Sequence, residues 1–234
     1  MSEPSRPKRW PPLWPDVTDP AVIAAITAVP RHLFVPPQRQ EQAYDDIPLP
    51  IGLGQTISQP YIVALMTQAL RLKPDSSVLE IGTGSGYQAA ILAQITPHVW
   101  SVEMLPELAE TARQRLVGLG YPVCIKAGDG RLGWPENGPF DGIIVTAASH
   151  DVPPALVAQL AEGGRLVIPV GACRTGGFWD QNLWLVEKVR DRLGKQHLAE
   201  VRFVPLVPSP ASIEPEKAGL SAIRQQLDEL FAGW

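Results

Sequence analysis

Residues 80–87, reading E-I-G-T-G-S-G-Y, limit the folds open to this chain more than any other stretch. They follow Ser77, Val78 and Leu79, a short strand-like run, and precede Q-A-A-I-L-A over 88–93, which has the composition of a helix. A strand, a glycine-rich turn and a helix N-terminus in that order is how α/β proteins hold a nucleotide-like cofactor at the carboxyl edge of a parallel sheet. Gly82, Gly84 and Gly86 let the backbone turn sharply and admit a ligand where a Cβ would stand. The spacing is G-x-G-x-G. A dinucleotide fingerprint would need glycine or alanine at position 87, where Tyr87 stands, and this argues against a nicotinamide cofactor. A glycine-rich turn of this length also occurs as a plain tight turn, so its surroundings must decide.

A chain of 234 residues fits one large α/β domain better than two small ones, and 45% hydrophobic residues can fill its core. The net charge of −4 and the lack of any dense Lys/Arg run give no reason to expect nucleic acid as a partner. Cys124 and Cys173 match no metal spacing and suit a reducing compartment. The N-terminus has no apolar core of a signal peptide, and no apolar run is long enough to span a membrane. The expectation is a soluble, cytoplasmic, monomeric protein with no metal and no membrane partner.

Prolines at 4, 7, 11, 12, 15 and 20 make the first segment an extended arm. It is either a mobile tail or, given Trp10 and Trp14, a segment folded back on the domain. Asp19 and Pro20 have the form of an N-cap and first helical position for a helix over 21–28. A polar helical stretch over 38–43, a proline-marked loop or edge strand over 44–50, and a small polar loop or hairpin over 51–60 follow. A helix is expected over 61–72. From Val78 onward strands at 77–81, 98–102, 122–126, 140–146 and 165–170 alternate with helices at 87–94, 106–118 and 153–161. That alternation predicts a mostly parallel sheet with helices on both faces. Strands over 182–189 and 198–206, joined by a charged turn over 190–196, predict an antiparallel pair at one side. Leu220, Ile223, Leu227, Leu230 and Phe231 line one face of a final amphipathic helix. The division expected is an arm over 1–18, a domain over 19–206 and an extension over 207–234.

Glu103 ends the second strand, 17 positions after Gly86, where Rossmann-like units place an acid that accepts hydrogen bonds from ribose hydroxyls. Asp129 ends the third strand, where it could accept from an adenine amine or could simply form an Asx-turn within Gly128-Asp129-Gly130. Acids after the second and third of five parallel strands, with the E-x-G-x-G-x-G form beginning at Glu80, describe an S-adenosylmethionine (SAM) site better than a nicotinamide site. His32, His98, His150 and His197 are scattered and read as structural or exposed. Cys124 reads as a core residue.

Four further segments narrow this to one family. V-P-R-H-L-F-V-P over 29–36, G-Q-T-I-S-Q-P over 54–60, D-G-I-I-V-T-A-A over 141–148 and G-G-R-L-V-I-P-V-G over 163–171 resemble, with the glycine loop, protein-L-isoaspartate O-methyltransferases. The similarity runs in order from about Asp19 to Leu206. The resemblance implies a seven-stranded Rossmann-like methyltransferase fold. It also implies SAM as donor, S-adenosyl-L-homocysteine as product, and isoaspartyl peptides and proteins as substrates. It makes Ser58 the catalytic residue, with Thr56, Ile57, Gln59, Ala147, Ala148 and Leu206 on the acceptor side. Glu80, Gly82, Thr83, Gly84, Ser85, Gly86, Glu103, Gly128, Asp129, Gly130 and Thr146 would hold the cofactor. The chain departs from the family in its proline-rich arm and its longer tail. A same-core methyltransferase for a small-molecule or peptide-product carboxylate, and a SAM-binding scaffold without turnover, are the alternative functions.

Overall fold

The computed structural model describes residues 7, 10–171, 180–207 and 220–232. The chain begins with α1 (Pro20–Ala28), whose N-cap Asp19 accepts the N–H groups of Ala21 and Val22. Two 3₁₀ turns, Arg31–Phe34 and Pro37–Gln42, follow, the second where a polar helix is expected. Strands β1 (Leu49–Gly52) and β2 (Gln55–Ile57) form a separate hairpin ahead of α2 (Pro60–Leu70). Then come β3 (Ser77–Ile81), α3 (Tyr87–Ala93), β4 (His98–Glu103), α4 (Pro106–Gly118), β5 (Val123–Ala127) and β6 (Phe140–Val145). The rest is α5 (Pro154–Ala158), β7 (Leu160–Val170), β8 (Gln181–Val189), β9 (Arg192–Val201) and α6 (Leu220–Phe231).

The main sheet has seven strands in the order β5-β4-β3-β6-β7-β8-β9, parallel through β7 and antiparallel over the last two pairings. The chain leaves β3 toward one edge and returns through β6 toward the other. Ligands bind at such a switch point, between β3 and β6, in open α/β sheets. Successive strand residues face opposite layers. Val78, Ile144 and Val167 pack under α2, whereas Leu79, Ile143 and Leu166 pack with α5 and Leu227 of α6. A third apolar cluster joins α1, α3 and α4, with Phe34 against Tyr87. In it the wholly buried Arg31 donates Nε to the Ala43 carbonyl (2.8 Å) and lies 4.8 Å from the Tyr87 ring centre.

Several local expectations need correction. Of the two readings of the arm, its described part follows the second and is folded against the domain. Trp10 is buried, donates Nε1 to the Ile26 carbonyl at 3.2 Å and meets Tyr44 edge-on at 4.9 Å. Residues 1–6, 8 and 9 lie outside the described residues. Helix α5 is only five residues long, because β7 already begins at Leu160, which pairs with Phe140 across a register shift. Gly163 takes φ +76° inside that strand, so the glycine pair bends a strand where it was expected to end a helix. The β8–β9 turn is two residues, Arg190 and Asp191, both with positive φ, so β9 starts far earlier than expected. β9 also stops at Val201, and the chain beyond it pairs with Ala148 through Pro205. Cys124 is exposed, because β5 is an edge strand whose outer pleat faces solvent. Cys173 lies outside the described residues.

Candidate active site

The switch point is built by the turn that leaves β3. Gly82, Gly84 and Gly86 have φ of +95°, +51° and +87°, a region costly for other L-residues. The first glycine is fastened from both neighbouring strands. Its N–H donates to the Val102 carbonyl (2.8 Å), and its carbonyl accepts the Thr146 hydroxyl (2.6 Å). A Cβ at Gly82 would stand 2.4 Å from that hydroxyl oxygen. The turn is therefore tied to both neighbouring strands by the chain's own hydrogen bonds.

Glu103 joins the turn to the end of β4. Its carboxylate accepts the N–H of Gly84 at 2.8 Å and of Leu105 at 3.0 Å, and the group is largely buried. Behind the turn, Glu80 is wholly buried and accepts a hydrogen bond from the Ser101 hydroxyl. Burial pushes its pKa up to about 8, with the Ser101 bond opposing and the nearby Glu103 adding to the rise. Thr83 shares the Ser101 hydroxyl, and Ser85 gives its carbonyl to Arg115 (2.6 Å). Glu80, Thr83 and Ser85 thus brace the turn from within.

The crevice beside this turn measures about 100 Å³ and is lined by Gly82, Gly84, Glu103, Gly130, Thr146 and Ala147, with Leu206 at one side. Gly130 is placed so that a Cβ would fall 2.3 Å from Ile81 Cγ2, so only glycine keeps the wall at this depth. Asp129 caps the short turn Gly130–Leu132, accepting from Arg131 N (2.9 Å) and pairing with its guanidinium (2.8 Å). The Asx-turn is formed; a carboxylate oxygen can still accept a second bond. Gly128 donates to the Glu103 carbonyl at 2.8 Å.

A larger cleft of about 530 Å³ adjoins the crevice, and Thr56, Thr146 and Val204 line both. Ser58, Gln59 and Tyr61 form its near wall. The N-cap of α2 is Gln59 with no side-chain cap bond, so Ser58 does not cap that helix. Its hydroxyl has no hydrogen-bond partner among the described residues, and the residue is half-buried. Ile57 is buried in the α1-side core, and Ala148 holds the chain end in place by bonding Val204 (2.8 Å) and Leu206 (2.7 Å). The far wall, Glu200 to Val204, was not found by sequence reasoning, nor were Tyr61, Met104 and Leu105. The last two follow Glu103 directly, and their position was the available signal.

His32 bonds the Tyr44 hydroxyl (2.6 Å), His197 bonds Asn182 (2.9 Å), and His98 and His150 are exposed, all outside both crevices. Among the described residues no group of His, Cys, Asp and Glu could hold a metal ion. No described helix is long and apolar enough to cross a membrane.

A mostly parallel sheet with a glycine-walled crevice at its switch point, and an acid at the end of the adjacent strand, defines a SAM-dependent methyltransferase of Rossmann-like fold. Residues 16–210 match the family model of protein-L-isoaspartate(D-aspartate) O-methyltransferase, and the chain belongs to that family. It is 58% identical over 194 residues to a protein-L-isoaspartate O-methyltransferase of Opitutus terrae, covering 81% of this chain and 80% of the relative. A relative of the same name from Picosynechococcus is 56% identical over 191 residues, covering 81% and 83%. One solved protein-L-isoaspartate O-methyltransferase superposes with a TM-score of 0.71 at 31% identity, over 80% of this chain and 61% of that one. A Plasmodium falciparum protein assigned to the same type, solved with S-adenosyl-L-homocysteine, gives 0.70 at 27% identity over 82% and 92%.

Proposed function

We propose that the protein transfers the methyl group of SAM to the free α-carboxylate of L-isoaspartyl residues in damaged peptides and proteins. The ester then closes to a succinimide, whose hydrolysis restores part of the normal aspartyl chain. The observation that carries this reading is that Ser58 lines a cleft adjoining the glycine-walled crevice, the two sharing Thr56, Thr146 and Val204.

SAM supplies an already activated methyl group on a sulfonium. The acceptor is a carboxylate with a pKa near ~4, ionised at neutral pH, so no general base is required. What remains for the protein is orientation, which can supply roughly 7–11 kcal/mol, together with exclusion of water where opposite charges neutralise. Glu103, the glycine turn and Gly130 suit the cofactor, because only glycine leaves space at Gly82 and Gly130. Ser58 donates a hydrogen bond that orients the carboxylate and forms no covalent bond with it. Thr56 and Gln59 stand beside it on the acceptor side. The reading also takes the protein as a monomer and as cytoplasmic, the location being supported by the reducing-compartment use of its cysteines.

The test is incubation with methyl-labelled SAM and an isoaspartyl peptide beside its aspartyl twin. Label is expected in the isoaspartyl peptide only. Cofactor binding without label in that peptide would sink the substrate assignment.

A further inference from the structure

The N-terminal arm reaches the acceptor cleft through one side chain. Tyr61 lines the cleft three positions after Ser58, in the first turn of α2. Its hydroxyl donates to the Asp16 carboxylate, and its ring lies 6.0 Å from that of Trp14. Its backbone N–H donates to Asp46 Oδ1 at 2.8 Å, while Asp46 Oδ2 accepts the Trp14 indole N–H at 3.2 Å. One turn pair further along α2, Gln68 accepts the N–H groups of Thr18 (2.7 Å) and Asp19 (2.8 Å) and donates to the Asp16 carbonyl (2.8 Å). The arm is thus fastened along α2, and the ring of Tyr61 is held at its hydroxyl, at its face and at its backbone.

An untethered, half-exposed tyrosine would sample several rotamers. Fixing it in advance removes part of the entropy that a ligand would otherwise lose on binding. The wall from Glu200 to Val204 is mixed: Val201, Phe203 and Val204 offer apolar surface in the same cleft as the Tyr61 ring, and Glu200 and Arg202 are charged. The hydrogen bond to Asp16 and desolvation raise the Tyr61 pKa to about 12, so the donor stays protonated.

We propose that Tyr61, held by Asp16 and Trp14 of the arm, is a specificity-determining residue that receives the apolar or aromatic side chain next to the isoaspartyl residue. The proposal rests on the acceptor reading given above. It assigns the proline-rich segment a part in substrate choice while leaving the donor crevice alone, since neither Asp16 nor Tyr61 lines that crevice.

The experiment compares two isoaspartyl peptides, one with phenylalanine and one with glycine after the isoaspartyl residue, on the full chain and its Tyr61→Ala, Tyr61→Phe and Asp16→Ala variants. For Tyr61→Ala the ratio of kcat/KM between the two peptides is expected to fall roughly three- to tenfold, the range of one modest contact. The change should be carried by KM, with the SAM dissociation constant from calorimetry unmoved. Tyr61→Phe and Asp16→Ala should shift the ratio the same way by less, and combining them should add nothing, since both remove one bond. Tyr61→Phe keeps the ring and the bond to Asp46, so it decides the matter where Tyr61→Ala does not fold. An unchanged ratio in these variants, or a loss of SAM affinity that tracks it, overturns the proposal alone. A wild-type chain that methylates neither peptide overturns the acceptor reading and this proposal with it.

Discussion

Glu103 accepts the backbone N–H of Gly84 at 2.8 Å, so the acid at the end of β4 holds the glycine turn that leaves β3. The same carboxylate takes the Leu105 N–H at 3.0 Å. Truncation at Glu103→Ala leaves two half-buried donors without their partner, at up to about 1–3 kcal/mol each. Calorimetry with SAM should show affinity lower by at least about tenfold, with a lowered unfolding midpoint. An affinity equal to wild type would remove Glu103 from the cofactor site.

Two alanine substitutions in the same turn should differ. Gly82→Ala drives a Cβ to 2.4 Å from Thr146 Oγ1 at φ +95°, whereas Gly84→Ala meets only Ile51 Cδ1 at 3.4 Å at φ +51°. Left-handed backbone alone costs an alanine about 1–2 kcal/mol, and the clash at Gly82 adds to it. Thermal melts of the two variants should place Gly82→Ala clearly lower.

Ser58→Ala should cut turnover on an isoaspartyl peptide by roughly a hundredfold, the scale of removing one positioned donor at a reacting group. SAM affinity should stay close to wild type, because Ser58 lines the larger cleft and not the glycine-walled crevice. Steady-state rates paired with calorimetry check both halves of the statement.

The buried carboxyl of Glu80 gives stability a definite pH dependence. Its pKa is raised in the fold from 4.5 to about 8, so the folded state keeps a proton that the unfolded chain releases. That contribution is fully present below about 4.5 and is lost progressively as pH rises toward about 8. Urea unfolding of the wild type against Glu80→Gln, at pH 5 and at pH 8, should show the wild type losing ground at the higher pH. Parallel curves would mean that Glu80 is ionised in the fold.

Trp10 belongs to the core through Ile26 and Tyr44. Trp10→Ala should destabilise the protein by about 3 kcal/mol, within the range for truncating a buried aromatic residue. Chemical unfolding midpoints check this, and a midpoint equal to wild type would make the arm a dispensable tail.

The glycine-walled crevice was legible because it is local. Turn, strand end and acid lie within two dozen positions, and glycine at an otherwise forbidden φ reports geometry directly. The larger cleft was legible only in part. Ser58 stands in a recognisable segment, yet the wall opposite it comes from residues 199–204, more than 140 positions away, and periodicity carries no record of that contact. The early start of β9 was hidden by charged residues that suit a turn as well as an outer strand. There Lys195 lies over the rings of Trp184 and Phe231, and its apolar stem has an aromatic surface to cover. Proline density showed the arm to be extended. Where it lies was decided by Tyr44, Gln68 and Asp46, which no spacing within the arm reveals.

The pairing of Ala148 with the chain at Val204 and Leu206 bears on how the protein is made. Val204 serves both hollows, yet it is reached only after β8 and β9 have been synthesised and have turned back on β7. A growing chain on the ribosome therefore carries its glycine turn long before either hollow is finished. An interrupted product ending before Val204 would have the signature of the fold and neither completed hollow.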